Sequence, residues 1–188
     1  MIRLAVIGDI GSGKSHVAKL FGFPVFNADY EVSKIYRKSR KCYNKLKKML
    51  PNYITAFPIK KFELSEANMD SQKNLKKIAK IVHPEVRNRM NDFIKKNRNK
   101  KYIVLDIRLL IENKINKKNY ILIFVDAKKK EIKKRLKKRN VSTKILKKFQ
   151  LPIELKKKKA DFIIKNNFKS NIIKKNAKII LKKILLND

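Results

Sequence analysis

Ile2-Arg3-Leu4-Ala5-Val6-Ile7-Gly8-Asp9-Ile10-Gly11-Ser12-Gly13-Lys14-Ser15 decides the reading of this chain. Residues 2–7 are a short, nearly continuous apolar run, the pattern of a strand buried on both faces. Gly8 to Ser15 then satisfies G-x-x-x-x-G-K-[ST] at every fixed position. A helix from about Lys14 to Phe21 follows. Glycines let successive backbone N–H groups turn inward without Cβ clashes, and the helix N-terminus adds positive potential. In this reading Gly11, Ser12, Gly13 and Lys14 cradle the phosphates of ATP, with Lys14 reaching the β- and γ-phosphates. Ser15 is the expected Mg²⁺ ligand. His16 is counted with the nucleotide-binding positions, although its side chain reads as structural. The negative charge of Asp9 is awkward in such a loop, so its side chain is expected to point away from the nucleotide. The motif identifies the phosphates and says nothing of the acceptor.

Outward from this loop, strands alternate with helices. Val25-Phe26 reads as a second strand, and Tyr102 to Asp106, Tyr120 to Val125 and Asp161 to Ile164 as three more. Helices are expected at Asp29 to Arg37, Lys41 to Leu50, 71–81, 84–97, about 128–138 and about 142–158. Pro84 is expected in the first turn of its helix. Ser170 opens a last helix with Ile173, Ala177, Ile180, Leu181 and Ile184 on one face. Region 51–70 has two prolines and little periodicity, and its structure is not read. The alternation predicts an α/β fold, a parallel sheet of about five strands covered on both faces.

The 188 residues suit one domain, and a hydrophobic share of 43% supplies a core. Cys42 is the lone cysteine, so no internal disulfide forms. The first apolar run is too short for a signal peptide, and no window approaches the roughly 18 apolar residues of a membrane span. The expectation is a soluble cytoplasmic protein with no membrane partner, monomeric or weakly homo-oligomeric. Its charge of +36 is compatible with nucleic acid. However, lysine is scattered through almost every helix beside abundant asparagine and isoleucine, with no tryptophan and 4 glycines. That pattern reads as AT-rich codon bias, and no specific nucleic-acid partner is expected.

Several further segments follow in order. They are Val17-Ala18-Lys19-Leu20-Phe21, Asn27-Ala28-Asp29, Ile81-Val82-His83-Pro84-Glu85-Val86-Arg87, Arg108-Leu109-Leu110-Ile111-Glu112 and Arg135-Leu136-Lys137-Lys138-Arg139. Lys156, Ala160-Asp161, Ile164 and Asn166 complete the series. With the loop, this order resembles the dephospho-CoA kinases, which phosphorylate the ribose 3′-hydroxyl of dephospho-CoA. Three departures stand out: Asn27 replaces an Asp, Arg108 a Pro, and Lys60-Lys61 a usual Asp-Arg. The resemblance implies a three-layer P-loop kinase fold of the nucleoside-monophosphate-kinase type. It further implies a single domain 1–188 with its core at about 1–28, 98–135 and 160–188, a helical substrate-binding insertion at about 29–97 and a lid at about 136–159.

The resemblance makes Asp29 the candidate catalytic carboxylate, orienting the sugar hydroxyl and accepting its proton. Capping of the helix that starts there is the competing role. Lys14 and Arg139 join Asp29 as catalytic candidates. Arg135 lies four residues before Arg139, on the same helix face, and is assigned to the nucleotide. Asp106, at a strand end, is either a Mg²⁺ ligand or an ordinary polar terminus. His83, Asp29, Leu109 and Glu112 are the expected substrate-binding residues. Another small-metabolite or nucleotide kinase, and a nucleic-acid-binding P-loop protein, stand as alternatives.

Overall fold

The computed structural model describes residues 1–108, 110–111, 120–138 and 150–186. In chain order the elements are β1 (Ile2–Gly8), α1 (Lys14–Leu20), β2 (Val25–Asn27), α2 (Ala28–Lys38), α3 (Arg40–Met49), α4 (Lys61–Asp70), α5 (Gln72–Lys96) and β3 (Tyr102–Asp106). They continue with β4 (Tyr120–Asp126), α6 (Lys129–Lys138), α7 (Ile153–Lys158), β5 (Phe162–Lys165) and α8 (Ser170–Leu186). Contacts divide the chain into two compact units, Met1–Asn27 with Asn97–Asp188, and Ala28–Lys96.

The first unit is built on a five-stranded sheet of order β2-β3-β1-β4-β5, with every pairing parallel. Parallel strands covered by crossover helices must be apolar on both faces. β1 meets that demand, being fully buried from Leu4 to Ile7, and β3 is buried along its whole length. Leu4, Val6, Val104, Ile123 and Val125 pack with Val17 of α1, with Phe21 at its C-cap and with Ile173 and Ile184 of α8. Ala5, Ile7, Leu105 and Phe124 alternate with them in the strands and are equally buried, as is Ile132 of α6. Asp161 extends the sheet at its edge: its amide donates to the Leu122 carbonyl at 2.9 Å, and its Oδ2 accepts from the Leu122 amide at 2.7 Å.

The register sets the position of the polar strand ends. Val6 pairs with Asp106, and Asp106 with Asn27, so β1 continues two residues further to Gly8 beside Val125. Since β1 has β3 on one side and β4 on the other, the chain leaves it at the point where the strand order reverses direction. Ligands of open α/β sheets bind beyond the carboxyl ends of the strands at such a point.

The second unit is helical. Ile35, Leu46, Leu50, Ile54, Ile59, Leu64, Ala67, Ile78 and Val82 form its core together with Cys42. Burial, followed by the charge of Glu85, pushes the Cys42 thiol up to about 11, so this cysteine is an inert packing residue. One expectation is overturned here: 71–81 and 84–97 are not two helices but one, with Pro84 in its interior. An internal proline costs about 3 kcal/mol. Ile78, Val82, Val86 and Met90, however, keep one four-residue phase straight through it, and all are buried or packed on the core. Each such side chain contributes about 1.5–3 kcal/mol, so the continuous stripe outweighs the proline.

Region 51–70, unread in the sequence, places Ile54 and Ile59 in this core before α4 begins. The tie is Glu63, whose carboxylate is buried in the first turn of α4. Its Oε1 accepts from the Thr55 amide at 3.0 Å and from the Thr55 hydroxyl, and its Oε2 from the Lys60 amide at 3.0 Å. The expected helix at about 142–158 is present as the shorter α7, Ile153–Lys158, opened by Pro152 at its N-cap. The part of that expectation at 142–149 lies outside the described residues.

Candidate phosphate-transfer site

The loop between β1 and α1 is shaped by glycine where no other residue fits. Gly8 has φ 149°, and a Cβ there would stand 2.8 Å from the Val125 carbonyl oxygen. Gly13 has φ 94° and is the N-cap of α1, and its Cβ would stand 2.4 Å from Asn166 Nδ2. The loop is closed by its own hydrogen bonds. The Ser12 amide donates to the Asp9 carbonyl at 3.2 Å, and the His16 amide to the Gly13 carbonyl at 3.0 Å. Lys14 Nζ donates to the Asp9 carbonyl at 2.7 Å and, at 3.4 Å, to that of Gly8. Its ammonium is therefore folded back over the loop. Asp9 uses Oδ1 to accept from the Ile10 amide at 2.7 Å, so its carboxylate is engaged within its own turn. Ser12 Oγ is buried and lacks a hydrogen-bond partner among the described residues. A buried hydroxyl left so is costly unless a ligand completes it.

Ser15 and His16 are exposed at the start of α1. Asn27 Nδ2 donates to Asp106 Oδ2 at 2.5 Å and, at 3.4 Å, to Ser15 Oγ. The two oxygens expected to serve a metal thus converge on one side-chain amide. Mg²⁺ takes hard oxygen ligands and usually keeps waters and substrate phosphates among them. Turning the Asn27 amide end for end presents Oδ1 in place of Nδ2, so Ser15, Asp106 and Asn27 fit such an ion. Among the described residues no three His, Cys, Asp or Glu side chains gather as a metal site.

Beyond the loop, Arg135 in α6 lays its guanidinium over the Phe168 ring at 4.4 Å, and its Nε is buried with no partner among the described residues. Phe168 has φ 63°, and its ring edge comes to 3.6 Å of where a Gly13 Cβ would be. Arg135 therefore belongs to the surroundings of the phosphate loop. Arg139, Leu109 and Glu112 lie outside the described residues.

Asp29 and His83 belong to the helical unit. Asp29 is the second residue of α2, inside its first turn with Glu31. It is thus not the N-cap residue that the competing role requires, although a carboxylate in the first turn still favours the helix dipole. Glu31 is engaged elsewhere, with Arg89 at 3.0 Å and Lys34 at 3.1 Å. Burial raises its pKa, but these two cations outweigh burial and hold it below the ordinary carboxylate range. His83 lies in the interior of α5, not in the first turn of a helix, because α5 runs on through Pro84. Loss of hydration and then the charge of Arg87 lower its pKa, so the ring is neutral near pH 7. Asn166 and Phe168 had no role in the reading of the sequence. The one available signal was Asn166 itself, at the end of the last shared segment.

A parallel sheet whose central strand ends in this glycine loop, with a buried lysine and an exposed serine at the head of the following helix, defines a P-loop nucleotide-binding fold. The dephospho-CoA kinase family model matches residues 2–171, and the chain belongs to that family. It is 32% identical to the dephospho-CoA kinase of Wolbachia sp. subsp. Brugia malayi, over 86% of this chain and 87% of that one. A crystal structure from Thermus thermophilus superposes with a TM-score of 0.80 at 26% identity, covering 99% of this chain and 97% of the other. The dephospho-CoA kinase of Campylobacter jejuni shares the fold, with a TM-score of 0.66 at 22% identity over 97% and 96%.

Proposed function

We propose that this chain transfers the γ-phosphoryl group of ATP to the 3′-hydroxyl of dephospho-CoA, giving ADP and coenzyme A. The observation that carries the reading is the loop itself: positive φ at Gly8, Gly11 and Gly13, Lys14 poised over it and Ser12 Oγ buried in it. Family membership supplies the acceptor. In the transfer, the bond from the 3′-oxygen to γ-phosphorus forms as the bond to the β–γ bridging oxygen breaks. No phosphoenzyme intervenes, because positioning and charge stabilisation account for the catalysis.

Lys14 exchanges the carbonyls of Asp9 and Gly8 for phosphate oxygens. Asp29 orients the 3′-hydroxyl and takes its proton. Arg135, and Arg139 beyond it in sequence, stabilise charge on the phosphates. Ser15 and Asp106, with Asn27 between them, hold Mg²⁺. When bound, Mg²⁺ neutralises charge on the phosphate oxygens. His83, Leu109 and Glu112 contribute to the acceptor side as binding residues, and of these His83 shares the helical insertion at about 29–97 with Asp29. The reaction is placed in the cytoplasm, with the protein monomeric or weakly self-associating. No helix among the described residues is long and apolar enough to cross a membrane.

The test is a coupled assay of ADP release with purified protein, ATP and Mg²⁺. ADP release that depends on dephospho-CoA, with stoichiometric coenzyme A, is the expected result. Phosphorylation of a nucleoside or nucleotide with none of dephospho-CoA would give the site to another metabolite kinase.

A further inference from the structure

We infer that Asn166 is a positioning residue that fixes the phosphate loop in its nucleotide-binding shape and couples it to the Arg135–Phe168 stack. The inference rests on the reading that ATP occupies this loop. Asn166 immediately follows β5, and its side chain is buried. Each of its hydrogen-bonding groups described here has a definite task. Its backbone amide donates to the carbonyl of Asp126, the last residue of β4, at 2.7 Å, which anchors it to the sheet. Its Nδ2 donates to the Ser12 carbonyl at 2.8 Å. Its Oδ1 accepts from the Phe168 amide at 2.8 Å.

These contacts have different consequences for the ligand. A carbonyl held by Nδ2 is turned outward to Asn166, and turning one face of a peptide outward turns its N–H the other way. The peptide between Ser12 and Gly13 is the one so held, and its N–H belongs to Gly13, in the stretch that must donate to phosphate. The fit leaves no slack, since a Cβ on Gly13 would lie 2.4 Å from Nδ2. On the other side, Oδ1 steadies the backbone that enters Phe168, whose φ of 63° is rare for a residue with a side chain. Phe168 in turn carries the Arg135 guanidinium on its ring at 4.4 Å. One buried amide therefore sets both the direction of a loop N–H and the platform under an arginine, from an anchor at the sheet. A purely structural asparagine would fix the turn after β5 without touching the loop.

The experiment compares the parent with Asn166→Leu, which keeps a similar volume and removes both polar groups. Binding of Mg·ATP is followed by calorimetry, and KM for ATP and for dephospho-CoA by the coupled assay, at a temperature where both proteins are folded. The variant is expected to bind Mg·ATP at least about tenfold more weakly, with KM for dephospho-CoA little changed. Parental affinity for Mg·ATP in a folded variant overturns the inference, as does an equal rise in both KM values. Should the variant not fold, the parent decides: in ¹⁵N-labelled protein the Asn166 side-chain amide signals should shift on adding Mg·ATP, and their indifference overturns it. Failure of the parent itself to bind Mg·ATP removes the underlying reading and the inference with it.

Discussion

Asp29 is the residue on which the chemistry turns, because a sugar hydroxyl needs a partner that both aims it and takes its proton. Replacing Asp29 with Asn keeps the shape and a hydrogen-bond acceptor but removes the basic oxygen. Turnover of Asp29→Asn is expected to fall by about 10²–10⁴-fold, with KM for ATP nearly unchanged. Steady-state kinetics with each substrate varied in turn would show this, and near-parental turnover would leave Asp29 as a helix-dipole partner in the first turn of α2. Such residues differ in how far the sequence exposes them. Lys14 and Ser15 are legible because the phosphate loop is contiguous, and local spacing fixes what each backbone amide does. Asn166 was not legible, because its role exists only once β5 lies beside β4 and its amide reaches Ser12, 154 residues away in the chain. Asn27 falls between the two cases. Its departure from the family pattern was visible, but its place between Ser15 Oγ and Asp106 Oδ2 depends on the register of β2 with β3.

At the scale of elements, the strands were readable because burial on both faces forces continuous apolar runs. The helices were readable wherever one apolar stripe kept its phase. α5 was divided because Pro84 is a strong local signal, and a local signal cannot be weighed against a stripe whose burial is unknown. Region 51–70 was opaque for the opposite reason: it has little period, and its ties, from the Ile59 amide to the Tyr36 carbonyl and from Thr55 and Lys60 to the carboxylate of Glu63, follow no local pattern. That carboxylate carries a consequence for pH. Burial raises the pKa of Glu63, but the hydroxyl and amide of Thr55 and the amide of Lys60 outweigh burial and hold it below 4.5. A carboxyl whose folded pKa is depressed stabilises fully above its unfolded pKa and loses that contribution as pH falls through the folded value. The Glu63 contribution is therefore present above about pH 4.5 and fades below it. Glu63→Gln should cost about 1–3 kcal/mol at pH 7, because one oxygen becomes a donor facing donors. Its deficit against the parent should shrink as pH falls below 4.5. Denaturant melts of both proteins at pH 7 and in acid would measure this, and a deficit that grows in acid would contradict the argument.

Over the whole molecule the dominant quantity is the charge of +36, from 51 Lys and Arg against 15 Asp and Glu. Its placement is diffuse, as the basic faces of α3, α6, α7 and α8 show. The densest helix is α6, with seven Lys or Arg among its ten residues, while Lys174, Lys175, Lys178 and Lys182 of α8 border a groove with Leu20 and Ile179. A diffuse field acts in two ways at once. It raises the local concentration of any polyanion, which for this protein includes both proposed substrates, and it binds nucleic acid without reading it. Both effects are screened over about 8 Å at physiological ionic strength, whereas backbone donors in the phosphate loop act at contact and are screened much less. KM for ATP and for dephospho-CoA should therefore rise together as salt is added, while kcat stays nearly constant. Binding to mixed-sequence DNA, followed by fluorescence anisotropy, should fall with a steep logarithmic salt slope and show no preference among sequences. A duplex or RNA held selectively at about 0.15 M salt would mean that the lysines form a reading surface rather than a general field. The nucleic-acid function set aside on composition would then have to be restored beside the kinase.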